Sequence, residues 1–518
     1  MAKLRLKELY IQDLSKGLDT LSPDISIDPR EAPTALNVEY IERGYPSKRR
    51  GITSVISDAP ESLDGIGTFV TAAGNKYIVY ISDGIVKRVS GSSSVTITGV
   101  TLTDGLNCTF TQVLDKLFIH NGTDNMCQVT NALVLSQPAN GKIAKFGINF
   151  KSRHVVAGNS SSPSTLYYSV TADPSDFSSA GSGSFAVQNN DGDKITGLCV
   201  YQDALFVFKE RAIYKMVEDS TGATLFSGVE LVTRGMGCVS HKTIESVEND
   251  IFFLGRKGGG NVSVNVLGNE SGYFDVLRTK ELSSRIQPDL SNINSSQLER
   301  SSAIFYDNKY ILAIADGGSS VNNIVFVYHR PYMAWARWEG WYPNSFTVIQ
   351  DSNGADHLYF ADDNSTYVME ALPNGVYSDN NQAYTFRWRS KKISPDNNWD
   401  KTNIWHNLTL HFRKTIGSVT LYVYIDGTKY NYGVIDFAVG TGGFNIDEFN
   451  SIEFNDTSGT SSTGSSSTST KRASINKRGK TIQVELEDTL VNSQIALMAI
   501  GLSFRTLSHW VFNSSDKI

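Results

Sequence analysis

One hairpin recurs along this chain, and its spacing limits the folds open to it. Each copy is an apolar run, a polar turn and a second apolar run. KYIVYISDGIVKRV spans 76–89, KLFIHNGTDNMCQV 116–129, RHVVAGNSSSPSTLYYSV 153–170 and ALFVFKERAIYKMV 204–217. DIFFLGRKGGGNVSVNV spans 250–266, KYILAIADGGSSVNNIVFVYHR 309–330 and HLYFADDNSTYVMEAL 357–372. Successive copies begin 37 to 59 residues apart. Asn75, Asp115, Asp203, Asn249, Asn308 and Asp356 each stand immediately ahead of a copy, where a turn would feed the first strand.

The runs YIVYI, LFVF and IFFL are apolar on successive residues, which marks strands buried on both faces. A lone four-stranded sheet leaves its faces and edges open, whereas radial packing against neighbours buries both faces. A period of roughly 40–50 residues with about four strands per copy is that of a β-propeller. The seven copies imply six or seven blades. Ring closure borrows a strand from a distant part of the chain, and the alternating Leu4, Leu6, Leu9 and Ile11 is the expected closing segment. The competing arrangement is a set of unrelated hairpins in stacked sandwiches. No GH…WD pair or S-x-D-x-G-x-T-W box separates the two.

TKELSSRIQPDLSNINSSQLERS (279–301) breaks the β rhythm, with Leu282, Ile286, Leu290 and Ile293 at helical spacing and Pro288 limiting the helix to a short or broken one. It reads as a helical excursion on the outside of the ring. After about residue 375 the texture changes to alternating strands, such as NIWHNLTLHFRK (403–414), SVTLYVYIDGTKY (418–430) and KTIQVELEDT (480–489). The expected fold is therefore all-β: a six- or seven-bladed β-propeller with an additional antiparallel β-sandwich-like C-terminal domain and few helices. The expected division is an N-terminal arm with closing strands over 1–60, the propeller over 61–375 and the sandwich over 376–518. DTSGTSSTGSSSTSTKR (456–472) is polar and of low complexity, and reads as a mobile loop tip.

A chain of 518 residues exceeds one ordinary core, and 40% hydrophobic with 19% charged residues is a globular balance. The formal charge of −6 argues against a protein that grips nucleic acid through a general basic surface. Cys108, Cys127, Cys199 and Cys238 form no C-x-x-C pair and have no histidine pair at zinc spacing, so they read as small buried core residues. The N-terminus lacks a signal-peptide pattern, and no run approaches the roughly 18 apolar residues of a membrane span. Synthesis in a cytoplasm is the expectation.

A search for chemistry finds no convincing site. NNDGDK (189–194) resembles the start of a calcium loop but lacks the downstream bidentate glutamate, and reads better as a turn before the strand at Ile195. GRKGGGN (255–261) joins two strands rather than opening a helix, so it is no phosphate cradle. No G-x-S-x-G or HExxH is present, the histidines His241, His329 and His357 fall in separate elements, and His406 and His411 are too far apart along a strand to share one face. No cofactor, metal or catalytic residue is assigned, although a carboxylate pair in a propeller channel would be invisible to sequence. The segment YMAWARWEGWYP (332–343) stands out. Trp335, Trp338 and Trp341 are either aromatics packed within a blade or a contact surface for a partner subunit or glycan.

Four stretches carry a family resemblance: SKGLDTLSPDISIDPREAPTALNVEYIERGYPSKRRGITSV (15–55), DKITGLCVYQDALFVFKERAIYKM (193–216), ELSSRIQPDL…AIFYDNKYILAI (281–314) and NNIVFVYHRPYMAWARWEGW (322–341). Over about 15–410 the chain resembles the tail hub or nozzle proteins of short-tailed bacteriophages, also described as packaged-DNA stabilisation proteins or tail tubular protein B. Arg49-Arg50-Gly51 stands where that family often has Arg-Pro-Gly.

The resemblance implies a structural virion protein, made in the host cytoplasm and placed in the tail. Six subunits would form a ring below the portal and its adaptor, or head–tail connector. That ring would extend the DNA channel, retain packaged DNA and allow its ejection. Double-stranded DNA would pass through the lumen, tail fibres or tailspikes would be neighbours, and no catalytic residue comes with the family. A lumen that conducts DNA is expected to be acidic or neutral, because a basic lining would hold phosphate. Two other classes compete: a receptor- or glycan-binding propeller acting as a tail-tip adhesin, and a propeller hydrolase.

Overall fold

The computed structural model describes residues 6–222, 224–257, 260–270, 273–395, 399–413, 416–437 and 468–507. The chain divides into two compact units, one of residues 52–327 and 339–373 and the other of residues 1–51, 328–338 and 374–518.

The first unit is a seven-bladed propeller. Blade one comprises Leu63–Val70, Lys76–Ser82, Ile85–Ser90 and Ser93–Thr96. Blade two is Thr109–Val113, Lys116–His120, Cys127–Val129 and Leu135–Ser136. Blade three is Phe146–Phe150, Arg153–Ala157, Thr165–Tyr168 and Gly183–Ala186. Blade four is Ile195–Tyr201, Ala204–Lys209, Ala212–Glu218 and Phe226–Arg234.

Blade five begins on Met236–Cys238 and Glu245–Val247, separated by the 3-10 turn His241–Thr243, and continues through Asp250–Lys257, Val262–Glu270 and Tyr273–Glu281. Blade six has Ser302–Tyr306, Lys309–Ile314 and Ile324–His329. Blade seven is Pro343–Gln350, Asp356–Asp362, Val368–Ala371 and, as its outer strand, Ile52–Ile56. The 279–301 excursion resolves into the short turns Ser284–Ile286, Gln287–Leu290 and Ser295–Arg300.

Every repeated hairpin is the second and third strands of one blade. In blades four and six the acidic or amide residue ahead of it sits in the tight turn from the innermost strand. Gln202 and Asp203 have φ of 48° and 59°, and Asp307 and Asn308 have 48° and 57°. Two successive positive φ values define the turn whose twist matches a β-hairpin, and Asp and Asn tolerate them best. In blade four the turn is tighter than the charged triplet 209–211 implies. Lys209 belongs to the strand, is fully buried and pairs with Asp191 at 2.7 Å. That ion pair fixes the NNDGDK turn ahead of Ile195.

The cores lie between adjacent blades. Phe69, Val79 and Ile81 of blade one pack with Leu117, Ile119 and Cys127 of blade two. Val155 and Leu166 of blade three pack with Leu198, Leu205 and Val207 of blade four. All four cysteines are free and buried, as small apolar side chains of this core.

Innermost strands have one edge with no ladder partner, and that edge needs hydrogen bonds. Side chains of neighbouring blades supply them. Ser345 Oγ accepts from the Ile66 N–H at 3.0 Å, and the Thr68 hydroxyl meets that of Thr347 at 2.7 Å. The Gln112 amide both accepts from Val70 N–H and donates to its carbonyl, at 2.9 and 2.7 Å. Thr109 and Thr111 donate to the carbonyls of Lys145 and Gly147. Lys242 Nζ of blade five donates to the Asn344 carbonyl of blade seven at 2.9 Å, and Asn344 Nδ2 donates to the Leu63 carbonyl of blade one. The ring is thus stitched shut around its axis.

Of the expected closing segment, Leu4 lies outside the described residues, and the described part with Leu6, Leu9 and Ile11 does not close the propeller. Residues Lys7–Ile11 pair with Leu497–Thr506 in the second unit, and Ile52–Ile56 closes the ring against Val368–Ala371. The reason is burial. Ile52 and Ile56 are buried at the two ends of their strand, whereas only Ile11 is buried in the earlier one.

The second unit holds two sheets. One has the order Lys7–Ile11, Leu497–Thr506, Asn403–Arg413, Thr468–Gly479. The other runs Ala334–Glu339, Thr34–Leu36, Phe386–Arg389, Ile482–Asp488, Ser418–Ile425, Thr428–Asp436. Alternation, shifted by one residue at a bulge between Trp405 and Asn407, buries Trp405, Leu408, Leu410 and Phe412 of Asn403–Arg413 on one apolar face. Of the low-complexity segment, residues 468–472 start a regular strand, so they are not loop. The remainder, 456–467, lies outside the described residues.

The opening stretch is a dense joint inside this unit. Gly17 has φ +80°, and a Cβ there would sit 2.6 Å from the Trp335 backbone nitrogen. Arg49 is fully buried. Its guanidinium is bidentate to Asp379 at 2.9 and 2.6 Å, donates to Asn37 Oδ1 at 3.0 Å and lies 4.0 Å from the Tyr384 ring centroid. Gly51 has no room for a side chain, since a Cβ would fall 1.9 Å from the Ser378 carbonyl oxygen. Beside it Lys48, also buried, bonds Asp488 at 2.7 Å and Ser493 at 2.9 Å.

Candidate functional site

In blades three to six the propeller places a basic residue shortly ahead of the innermost strand. Lys145 precedes Phe146 in blade three and Lys194 precedes Ile195 in blade four. Lys242 lies in the turn before Glu245 in blade five, and Arg300 comes two residues before Ser302 in blade six. These cations meet carboxylates. Glu299 accepts from both Lys145 and Lys194, the latter at 2.7 Å, and Arg300 is held by Asp363 at 2.7 Å.

A cavity of about 400 Å³ opens here, walled by Asn107, Lys145, Phe146, Lys194, His241 and Glu299 among others. Its size is that of a small-ligand pocket. His241 stacks on Phe146, with centroids 4.7 Å apart and planes at 22°. Its Nδ1 accepts from the Leu198 N–H at 3.3 Å, which leaves the proton on Nε2. Burial, and then the Lys242 charge, pushes His241 down to about 4, so it is neutral at pH 7. Burial raises the Glu299 carboxyl, but the hydrogen bonds and charges of Lys145 and Lys194 outweigh it and bring the group down to about 2. Lys242 is pushed down to about 8 by burial. The Asn107 Oδ1 is a buried acceptor with no partner.

Deeper in blade one, Asp64 is 8% exposed and raised to about 7 by burial, with the Asp104 charge second. Among the described residues one carboxylate set, Glu61, Asp83 and Asp104, is close enough to share a cation, with oxygens within 4.8 Å of one another. All three are exposed, and three surface acids alone do not make a site.

The sequence-derived aromatic cluster lies elsewhere and is split between the units. Trp335, Trp338 and Trp341 are 1%, 0% and 0% exposed. Trp338 Nε1 donates to the Val38 carbonyl at 2.7 Å, and Trp335 packs on Tyr328 with centroids 5.0 Å apart; both belong to the second unit. Trp341 stacks on Phe360 in the propeller, 5.6 Å between centroids. None offers an open ring face.

The mouth residues were missed because they are spread from Asn107 to Glu299. Their one sequence signal is positional: Lys145 and Lys194 fall at the same point in consecutive repeats. The buried His120–His154 pair, Nε2 to Nε2 at 3.2 Å between blades two and three, gave no signal either.

Among solved structures, the chain is similar to the extracellular domain of the one component system BT4673 from B. thetaiotaomicron. The identity is 10% and the TM-score 0.41, covering 69% of this chain and 43% of that one. It is similar to the N-terminal domain of Nup159 at 9% identity and TM-score 0.38, covering 65% and 98%. It is similar to a catalytically inactive virginiamycin B lyase from Staphylococcus aureus at 11% identity and TM-score 0.40, covering 61% and 97%. The chain thus spans less than half the length of the BT4673 domain. Likenesses this distant carry no functional argument. No curated protein sequence matches the chain. A family profile described as Bacteriophage P22 Gp10, beta-propeller, matches residues 32–312, more than half of the sequence. That span takes in Arg49, the closing strand and the first five blades. The chain belongs to this bacteriophage DNA-stabilisation family and is a phage structural protein with a β-propeller fold.

Proposed function

We propose that the chain is the hub or nozzle subunit of a short phage tail. Six copies form a ring below the portal and adaptor, extend the DNA channel, retain the packaged genome and release it on infection. Family membership over residues 32–312 is the observation that carries this reading. The propeller axis supports one part of it. A duplex has a major groove alone about 12 Å wide. It has no passage through a ring in which one lysine, Lys242, bridges blades five and seven. The DNA path in this proposal therefore runs between subunits, not through a propeller, and its lining is acidic or neutral. Tail fibres or tailspikes are the proposed lateral neighbours.

Native mass spectrometry of the purified protein and of a virion lysate tests the proposal. A hexamer, alone or within a tail complex, is the expected result. A stable monomer that never enters a virion-derived assembly would overturn it.

A further inference from the structure

We propose that the propeller-mouth cavity binds a neutral saccharide residue, with Asn107, the Lys194–Glu299 pair and His241 as its hydrogen-bonding wall. The inference goes beyond the tail-hub reading and holds whether or not the chain forms a ring.

Four observations converge. The volume, about 400 Å³, suits one or two sugar rings. The wall brings donors and acceptors together: the Lys194 ammonium, the Glu299 carboxylate, the His241 imidazole with its proton on Nε2, and the Asn107 side chain. A sugar hydroxyl both donates and accepts, so neighbouring hydroxyls satisfy an ammonium and a carboxylate at once. The charges are already paired, because Glu299 holds both Lys145 and Lys194. An anionic ligand would have to break that pairing, whereas a neutral polyol bridges it. Finally, the wall is held in place beforehand. The imidazole is fixed by its stack on Phe146 and its bond from Leu198, and Ser240 Oγ ties the Glu299 backbone carbonyl at 3.1 Å. A preorganised wall loses little entropy on binding.

The test is saturation-transfer NMR on the full chain. The probes are D-glucose, D-galactose, D-mannose, L-rhamnose and N-acetyl-D-glucosamine, with acetyl-tetraalanine amide as an uncharged peptide control. Transfer to the ring protons of at least one sugar is expected. Asn107→Ala and Glu299→Gln should each weaken binding about tenfold, the loss of one good hydrogen bond. Glu299 is exposed, so that variant keeps the parent circular dichroism and melting. Silence from all five sugars at roughly 20 mM, weaker than any useful site, would overturn the proposal. Sugar binding untouched by both substitutions would also overturn it, and peptide binding without sugar binding would replace it with a protein partner.

Discussion

Acidification from pH 7 to pH 5 should weaken the propeller through the His120–His154 pair. Both rings are buried, at 1% and 0% exposure, and their Nε2 atoms are 3.2 Å apart. His154 Nδ1 lies 3.3 Å from the Pro174 carbonyl and must donate to it, so its Nε2 accepts the proton of His120 Nε2. A second proton on His154 Nε2 would set two N–H groups face to face in the core, and one on His120 Nδ1 would place a buried charge at an atom with no hydrogen-bond partner. Burial accordingly pushes His120 down to about 3, and burial with the His120 charge pushes His154 well below its ordinary value. Both folded values lie below the unfolded value of about 6.5. The unfolded chain therefore binds the extra protons, and stability falls as pH drops below 6.5. At pH 5 an unfolded histidine is almost wholly protonated while the buried one is not, which costs about 2 kcal/mol per ring.

His120→Gln keeps a hydrogen-bonding partner for His154 and removes one titrating group. Urea unfolding of the full chain, at fixed protomer concentration, should show the parent losing about 2 kcal/mol more than the variant between pH 7 and pH 5. Asp64, raised to about 7, works in the opposite direction, gaining stability as pH falls through 7, but it is common to both proteins and cancels in the difference. Equal losses in parent and variant would refute the argument.

Arg49→Met should cost about 3–5 kcal/mol by leaving Asp379 without its partner, and Arg49→Lys should recover little because a lysine cannot supply the two-pronged contact; a double cycle with Asp379→Asn, read by urea unfolding, measures the coupling. Gly51→Ala places a Cβ against the Ser378 carbonyl and should cost about 1–3 kcal/mol or more, seen as a lower unfolding midpoint. Trp338→Phe removes the indole bond to Val38 and leaves a gap, for an expected loss of about 1–3 kcal/mol in the same assay.

The propeller was legible because its signal is local. Runs such as LFVF are buried on both faces, and Asp203 and Asn308 ahead of their hairpins occupy two-residue turns with positive φ that Asp and Asn tolerate best. Blade closure was not legible, because ITSVI at 52–56 is short, half polar and finds its partner more than 300 residues away. KELYI at 7–11 alternates as cleanly but buries only Ile11, and its register belongs to the second unit. The tryptophans show the limit of reading residue type alone. Trp335, Trp338 and Trp341 all pack inward. The mouth cavity is a property of the repeat geometry. No single window contains Asn107, Lys194 and Glu299, and only superposing the blades in sequence would align Lys145 with Lys194.

Closure by Ile52–Ile56 sets a timetable for synthesis. The strand leaves the ribosome early, yet its ladder partner, Val368–Ala371, comes last in the ring. At about 5–20 residues per second, roughly 15–60 s separate the two. During that interval the nascent chain carries an unmatched strand and an open blade, the kind of edge that pairs with the wrong neighbour. The outer strand of blade seven is thus a latch that only a finished propeller can fasten. A chain stalled or cut before residue 368 keeps its early strand exposed and is marked for aggregation or proteolysis before it can enter an assembly.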